Sequence, residues 1–82
     1  MPTVARFRGF RAAIPVNEHR PAHVHVTGSG GKAVFNLNCP SGPPILREAA
    51  GLTRAELGGI ANELAKRLLS LCRKWKRIHG DY

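Results

Sequence analysis

The spacing of apolar residues changes once along the chain, and this change constrains the fold more than any other sequence feature. Between Thr3 and Asn38, short runs alternate apolar and polar residues, which is the period of half-buried β-strands. From Thr53 onward, apolar residues recur every third or fourth position and form the single stripe of an amphipathic helix. The sequence therefore predicts an α+β fold: antiparallel β-hairpins in one or two small sheets, then one long C-terminal helix packed on a sheet face.

The chain has 82 residues, enough for a single domain spanning 1–82 and too few for a deep cleft. It divides into three predicted segments: β-rich 1–38, loop and short element 39–52, and helix 53–79. Residues 45–50 fit either a short strand or a helical turn. The clearest local prediction is a hairpin that turns at Gly28–Gly31, because alternating runs flank this glycine-rich segment.

Two features mark the course of the predicted helix. Thr53 and Glu56 have the spacing of a capping box, in which hydroxyl and carboxylate each accept a hydrogen bond from a free backbone N–H. Gly58 and Gly59 follow in the second turn, where each weakens a helix by roughly 1 kcal/mol relative to alanine. This pair predicts either a bend or a close approach of the sheet.

The charge balance is strongly positive, with 13 Lys and Arg against 5 Asp and Glu and a net charge of +8. Such an excess favours an acidic partner, either nucleic acid or protein, although a solvated basic surface is the simpler interpretation. The candidate binding residues form a hairpin cluster and a helix-end cluster: Arg6, Arg8 and Arg11, then Arg73, Lys74 and Arg77. In the first cluster, Arg6 and Arg8 are predicted to share a strand face and to bind phosphate or carboxylate together. The second cluster has an alternative role, since cations near a helix C-terminus complement its dipole.

Three of the four histidines, His19, His23 and His25, lie within seven positions. On a strand, His23 and His25 share a face, and His19 could reach them from the preceding turn. Three imidazoles and a water would suit zinc, which prefers nitrogen ligands in a tetrahedron. Two imidazoles could instead act as general acid and base in metal-free cleavage of RNA. The third interpretation is that they are exposed polar strand residues, and no other cofactor is predicted.

The compartment is predicted from the cysteines and from the apolar runs. Cys39 and Cys72 form no framework pattern, so a disulfide is geometrically possible but not indicated, and we predict free thiols and a cytoplasmic protein. Arg6 and Arg8 interrupt the region where a signal peptide would be apolar. No stretch approaches the ~18 apolar residues of a membrane span, so no membrane partner is predicted.

The run Asn-Glu-His-Arg-Pro-Ala-His-Val-His-Val at 17–26 resembles the motif Asn-Glu-His-x-Pro-x-His-Val-His-Val of a family of small bacterial domains of unknown function. The resemblance extends to Met-Pro-Thr at 1–3, Gly-Phe at 9–10 and Gly-Leu-Thr-x-x-Glu-Leu at 51–57. It implies a bacterial source and a fold of hairpins followed by a helix. It also implies a toxin–antitoxin-like gene pair on a mobile element, but no reaction. The proline-rich loop at 39–44 and the basic helix depart from the family pattern.

Three functions stay open on the sequence alone. Size, charge and the lack of a deep-site signature favour a non-catalytic binding module that contacts an acidic partner. The alternatives are a small histidine-dependent ribonuclease-like enzyme and a structural component of a mobile-element-encoded assembly. The sequence does not determine whether the protein is an enzyme or what its oligomeric state is.

Overall fold

The computed structural model describes residues 2–82, which form one antiparallel five-stranded sheet followed by two helices. The strands are β1 (Thr3–Phe7), β2 (Phe10–Ala13), β3 (His23–Gly28), β4 (Gly31–Asn36) and β5 (Ile45–Ala50). The helices are α1 (Arg54–Lys66) and α2 (Leu68–His79). Each strand pairs with its neighbour in the chain, so the sheet order is β1-β2-β3-β4-β5. The predicted α+β class is confirmed, and residues 45–50 prove to be a strand.

Two-residue turns close the first and third hairpins. Arg8 and Gly9 connect β1 to β2 with φ of 52° and 81°, and Ser29 and Gly30 connect β3 to β4 with φ of 51° and 77°. Positive φ at both central positions is the type I′ geometry, which matches the twist of paired strands. The glycine-rich segment therefore makes the hairpin turn that its sequence predicted.

Both helices pack on one face of the sheet, which we call the inner face. The buried core includes the alternate strand residues and the helical stripe: Phe7, Phe10, Ile14, Val24, Val26, Phe35, Leu37, Ile60, Leu64, Leu71 and Trp75. The opposite face of the sheet, the outer face, carries the intervening strand residues. It bears no helix within residues 2–82.

The predicted single helix is broken at Arg67. The Arg67 side chain donates from Nη1 to the Glu63 carbonyl oxygen at 3.0 Å and to Glu63 Oε1 at 2.6 Å. Its backbone N–H bonds to the Leu64 carbonyl at 3.1 Å, one residue short of the α-helical repeat. The Arg67 side chain thus takes the Glu63 carbonyl that its own backbone N–H would bond in a continuous helix, and α1 ends here before α2 begins. The spacing of apolar residues does not reveal this effect of a polar side chain.

The glycine pair does not break the helix, because α1 runs through Gly58 and Gly59 without interruption. A Cβ added at Gly59 would lie 3.2 Å from Arg8 Nη1. Of the two predicted roles, the structure therefore supports the close approach, with the β1–β2 turn as the neighbour. The capping box forms as predicted, since Thr53 Oγ1 accepts from the Glu56 N–H at 3.1 Å and Glu56 Oε1 accepts from the Thr53 N–H at 2.8 Å.

The prediction of free thiols is wrong for this structure, because Cys39 and Cys72 form a disulfide. Cys72 lies on the buried stripe of α2, and Cys39 follows β4. Their Cα atoms are 5.7 Å apart, within the usual span of a disulfide. The pair is 33 positions apart in the chain and meets only when α2 packs on the sheet, which no spacing rule anticipates.

The predicted cytoplasmic location stays a prediction. Among residues 2–82, neither helix combines the length and the apolar character that a membrane crossing requires.

Candidate functional site

A row of cations crosses the outer face at right angles to the strands. Arg6 on β1 pairs with Arg11 on β2, Arg11 with Thr27 on β3, and Thr27 with Lys32 on β4. All four side chains are exposed. We call Arg6, Arg11 and Lys32 the cationic row.

The first two members of the cationic row repel each other. Arg6 and Arg11 are directly opposed cross-strand partners, an arrangement in which like charges destabilise a sheet. Within residues 2–82, neither arginine forms a salt bridge to a carboxylate that would offset this repulsion. The cationic row therefore has the charge and the exposure to bind an external anion.

The structure does not unite all six predicted basic residues. Arg8 is in the turn, where it bonds through Nε to Glu63 Oε2 at 3.1 Å, so it does not share a strand face with Arg6 as predicted. Lys74 donates to the Val4 carbonyl oxygen at 3.0 Å and so ties α2 to β1. Arg73 and Arg77 are exposed on α2, which packs on the inner face and so lies across the sheet from the cationic row.

A second group of polar side chains lies at the end of the outer face where β3 begins. Glu18 reaches back from the β2–β3 connector and places Oε1 2.7 Å from His23 Nε2 and 3.2 Å from His25 Nε2. The two imidazole rings are 5.5 Å apart. The three ligand-type atoms all lie within 4.8 Å of one another. We call Glu18, His23 and His25 the His–Glu cluster.

His23 is held more tightly than an exposed strand residue would be. It is 2 % exposed, and its ring lies 5.1 Å from the buried indole of Trp75. Its Nδ1 is 2.8 Å from the Pro21 carbonyl oxygen, which can only accept, so Nδ1 carries a hydrogen and donates. Both ring nitrogens are thus engaged, and general acid–base catalysis by two free imidazoles is not favoured.

Glu18 is electrostatically coupled to both histidines. Its hydrogen bond with His23, and then its hydrogen bond with His25, lower the pKa of the Glu18 carboxyl below its ordinary value of 4.5. The carboxylate is about half exposed, at 46 %, and His25 is 27 % exposed. The cluster therefore has one buried member, His23, and two partly exposed members, Glu18 and His25, of which Glu18 is the anion.

His19 lies apart from the cluster that the sequence predicted it would complete. It is exposed, and its ring is 6.5 Å from that of His79. Glu18 takes the third place instead, because the connector turns the neighbouring side chain toward His23. The sequence places both Glu18 and His19 close to His23 and His25. Only the path of the connector in the structure shows that Glu18, and not His19, contacts them.

His25 of the His–Glu cluster lies on the same face as the cationic row, whereas His23 packs against Trp75 of α2. His25 pairs with Ala13 and Val34, one row along from Arg11, Thr27 and Lys32. Two residues along a strand span about 7 Å. A shallow depression lies between the two groups, and its lining includes His25, Thr27, Lys32, Val34 and Glu48. One extended ligand lying on the outer face could therefore contact both groups.

Comparison with protein families finds a match for this chain. The model of a domain of unknown function, DUF4160, matches residues 9–76. No curated protein matches the chain, and no solved structure matches it. The matched segment contains all of the His–Glu cluster and, of the cationic row, Arg11 and Lys32.

Proposed function

The chain belongs to the DUF4160 family of domains of unknown function, and from this premise we propose that it is a binding module whose outer face holds single-stranded nucleic acid through its phosphates. The observation that supports the proposal is the opposed pair of Arg6 and Arg11, which no carboxylate neutralises within residues 2–82. A bound anion between the two guanidinium groups would turn a destabilising contact into a favourable one.

The shape of the site favours a linear polyanion. The cationic row spans four adjacent strands, about 4.8 Å apart, so its charges form a track across an open surface. Guanidinium groups bind phosphate oxygens bidentately, which suits the phosphodiester backbone. The Thr27 hydroxyl lies between the cations and adds a neutral donor.

The location of the aromatic side chains does not favour base-specific recognition by the outer face. All three phenylalanines and Trp75 are buried in the core, so they offer no platform on which bases could stack. Proteins that read the bases of a single strand hold them splayed out on such platforms while hydrogen bonds to the base edges discriminate among them. We therefore expect binding that depends on charge and chain flexibility and depends little on sequence.

The test compares two double variants that remove the same charge from opposite sides of the molecule. Arg6→Gln/Arg11→Gln changes the outer face, and Arg73→Gln/Arg77→Gln changes the exposed side of α2. Each is titrated with a labelled, mixed-sequence single-stranded RNA at several salt concentrations. We expect the outer-face variant to lose affinity and to reduce the slope of log K against log salt by about 0.7, since the arginine pair holds one phosphate and each phosphate contact contributes about 0.7. The α2 variant should lose much less.

Three outcomes would contradict the proposal. Equal losses in the two variants would show that only net charge matters. An undetectable affinity of the wild-type protein near physiological salt would exclude nucleic acid. Tighter binding of an acidic peptide of matched charge than of RNA would identify a protein partner instead.

Whether the gene belongs to a toxin–antitoxin-like pair on a bacterial mobile element stays a separate prediction, which its genomic neighbours would test.

A further inference from the structure

We propose that Glu18, His23 and His25 form a binding site for a first-row divalent transition metal, with zinc as the representative ion. This inference is independent of nucleic-acid binding. It rests on the convergence of one carboxylate oxygen and two imidazole nitrogens within 4.8 Å of one another. Two histidines and one carboxylate are a recurrent ligand set for zinc and for non-haem iron, with positions left open for water or substrate.

The hydrogen bonding of His23 orients it as a ligand. Its Nδ1–H donates to the Pro21 carbonyl at 2.8 Å, so the lone pair of the neutral ring lies on Nε2. A backbone carbonyl that fixes the tautomer in this way is the usual outer partner of a metal-binding histidine. The ring is further fixed by Trp75, at a centroid distance of 5.1 Å.

That lone pair points at a second acceptor. His23 Nε2 lies 2.7 Å from Glu18 Oε1, and two acceptors approach this closely only with a proton or a cation between them. His25 Nε2 lies 3.2 Å from the same oxygen and supplies the third donor. A divalent ion coordinated by these three atoms would occupy the space on which they converge.

The surroundings suit an open rather than a closed site. Glu18 and His25 are 46 % and 27 % exposed, so an ion can enter from solvent, and water can take the remaining positions. Asn36, directly across the sheet from His23, has a buried Oδ1 with no hydrogen-bond partner among the described residues. An amide oxygen there can accept a hydrogen bond from a metal-bound water.

The experiment titrates the disulfide-bonded protein with Zn²⁺ in a calorimeter and with Co²⁺ in a spectrometer, without nucleic acid. We expect one bound ion, together with shifts of the Nε2 resonances of His23 and His25. Mg²⁺ should not compete, because it prefers oxygen ligands. Glu18→Gln and His25→Asn should each weaken binding by about 100-fold or more, since even losing an outer partner of a ligand costs 10–100-fold.

Matched controls separate the site from general metal affinity. His19→Gln removes an exposed histidine of the same segment, and Glu48→Gln removes an exposed carboxylate of the outer face; both should bind Zn²⁺ as the wild type does. His25 and Glu18 are partly exposed, so their variants are expected to fold, which circular dichroism would verify. The proposal is overturned by an undiminished affinity in His25→Asn, by a loss of equal size in His19→Gln, or by thiolate-to-cobalt absorption, which would locate the ion at the cysteines.

Discussion

Glu63 is the residue at which the first hairpin and the two helices are joined. Its carboxylate accepts from Arg67 at 2.6 Å and from Arg8 at 3.1 Å, and Lys66 Nζ lies 3.7 Å away. The hydrogen bond with Arg67, followed by that with Arg8, lowers the pKa of Glu63 from 4.5 to about 2. The ionised form is therefore stabilised by folding.

This shift predicts a defined pH dependence of stability. A carboxyl whose folded pKa is depressed contributes stability above its unfolded value of 4.5 and loses it as the pH falls toward about 2. Glu63→Gln should therefore flatten the decline of the free energy of unfolding across this window. Urea unfolding at a series of pH values measures the effect, with Glu48→Gln as the control. A decline as steep in Glu63→Gln as in the wild type would show that the ion pairs contribute nothing.

The candidate site illustrates what single residues reveal in a sequence. A period of two places His23 and His25 on one face, and the structure brings their rings together as predicted. The same reasoning could not choose between Glu18 and His19, because a connector has no period. It also missed the burial of His23, which depends on Trp75 arriving from a helix about fifty positions later in the chain.

At the scale of elements, β5 differs from the other four strands. All six of its residues are exposed, including Ile45 at 54 % and Leu46 at 42 %, and it pairs only with β4. By contrast, β3 pairs on both sides and carries the buried Val24 and Val26. An edge strand without a packed face is held by its hydrogen bonds to one neighbour.

We expect β5 to open locally far more often than β3. Regions with few buried apolar contacts exchange their amide hydrogens through local openings of low free energy. Hydrogen exchange followed by NMR should therefore show faster exchange at the β4-bonded amides of β5 than at the amides of β3. Equal protection of the two strands, persisting on dilution, would mean that this expectation is wrong. Protection of β5 that fades on dilution would instead show that a second copy covers the edge.

Periodicity and turn chemistry predicted most of the elements, and the errors have local causes. The strands of the hairpin turning at Gly28–Gly31 alternate cleanly and were anticipated. Residues 45–50 were ambiguous, because an exposed edge strand lacks the alternation that burial imposes. The break at Arg67 comes from one side chain bonding to Glu63, which leaves the apolar stripe intact on both sides.

At the scale of the whole molecule, the disulfide joins the sheet to α2. The bond between Cys39 and Cys72 closes a loop across 33 positions. In the chain-entropy model, a disulfide that closes a loop of this length stabilises the fold by about 4 kcal/mol, because it restricts the unfolded chain. For a chain of 82 residues, that is a large share of the ~5–15 kcal/mol typical of folded domains.

Reduction should therefore lower the midpoint of urea unfolding markedly. The wild-type protein is unfolded with and without a thiol reductant, and Cys39→Ser/Cys72→Ala serves as the control that the reductant should leave unchanged. Alkylation of the unfolded protein then counts the free thiols. Two reactive thiols before reduction, and no effect of the reductant, would restore the prediction of free cysteines.

The serial order of the sheet has a consequence for how the molecule folds. Each strand joins the one beside it in the chain, so each pairing closes only a short loop at low entropic cost, and local pairings of this kind form quickly. The core, by contrast, forms only when distant parts of the chain meet. The hydrogen bond from Lys74 to the Val4 carbonyl oxygen, for example, joins residues that are 70 positions apart. The cationic row is made only of nearest-neighbour strand pairings, and Glu18 meets His23 across five positions. The pairings that make up both candidate sites can thus form early, whereas the packing of His23 against Trp75 comes only with the interior.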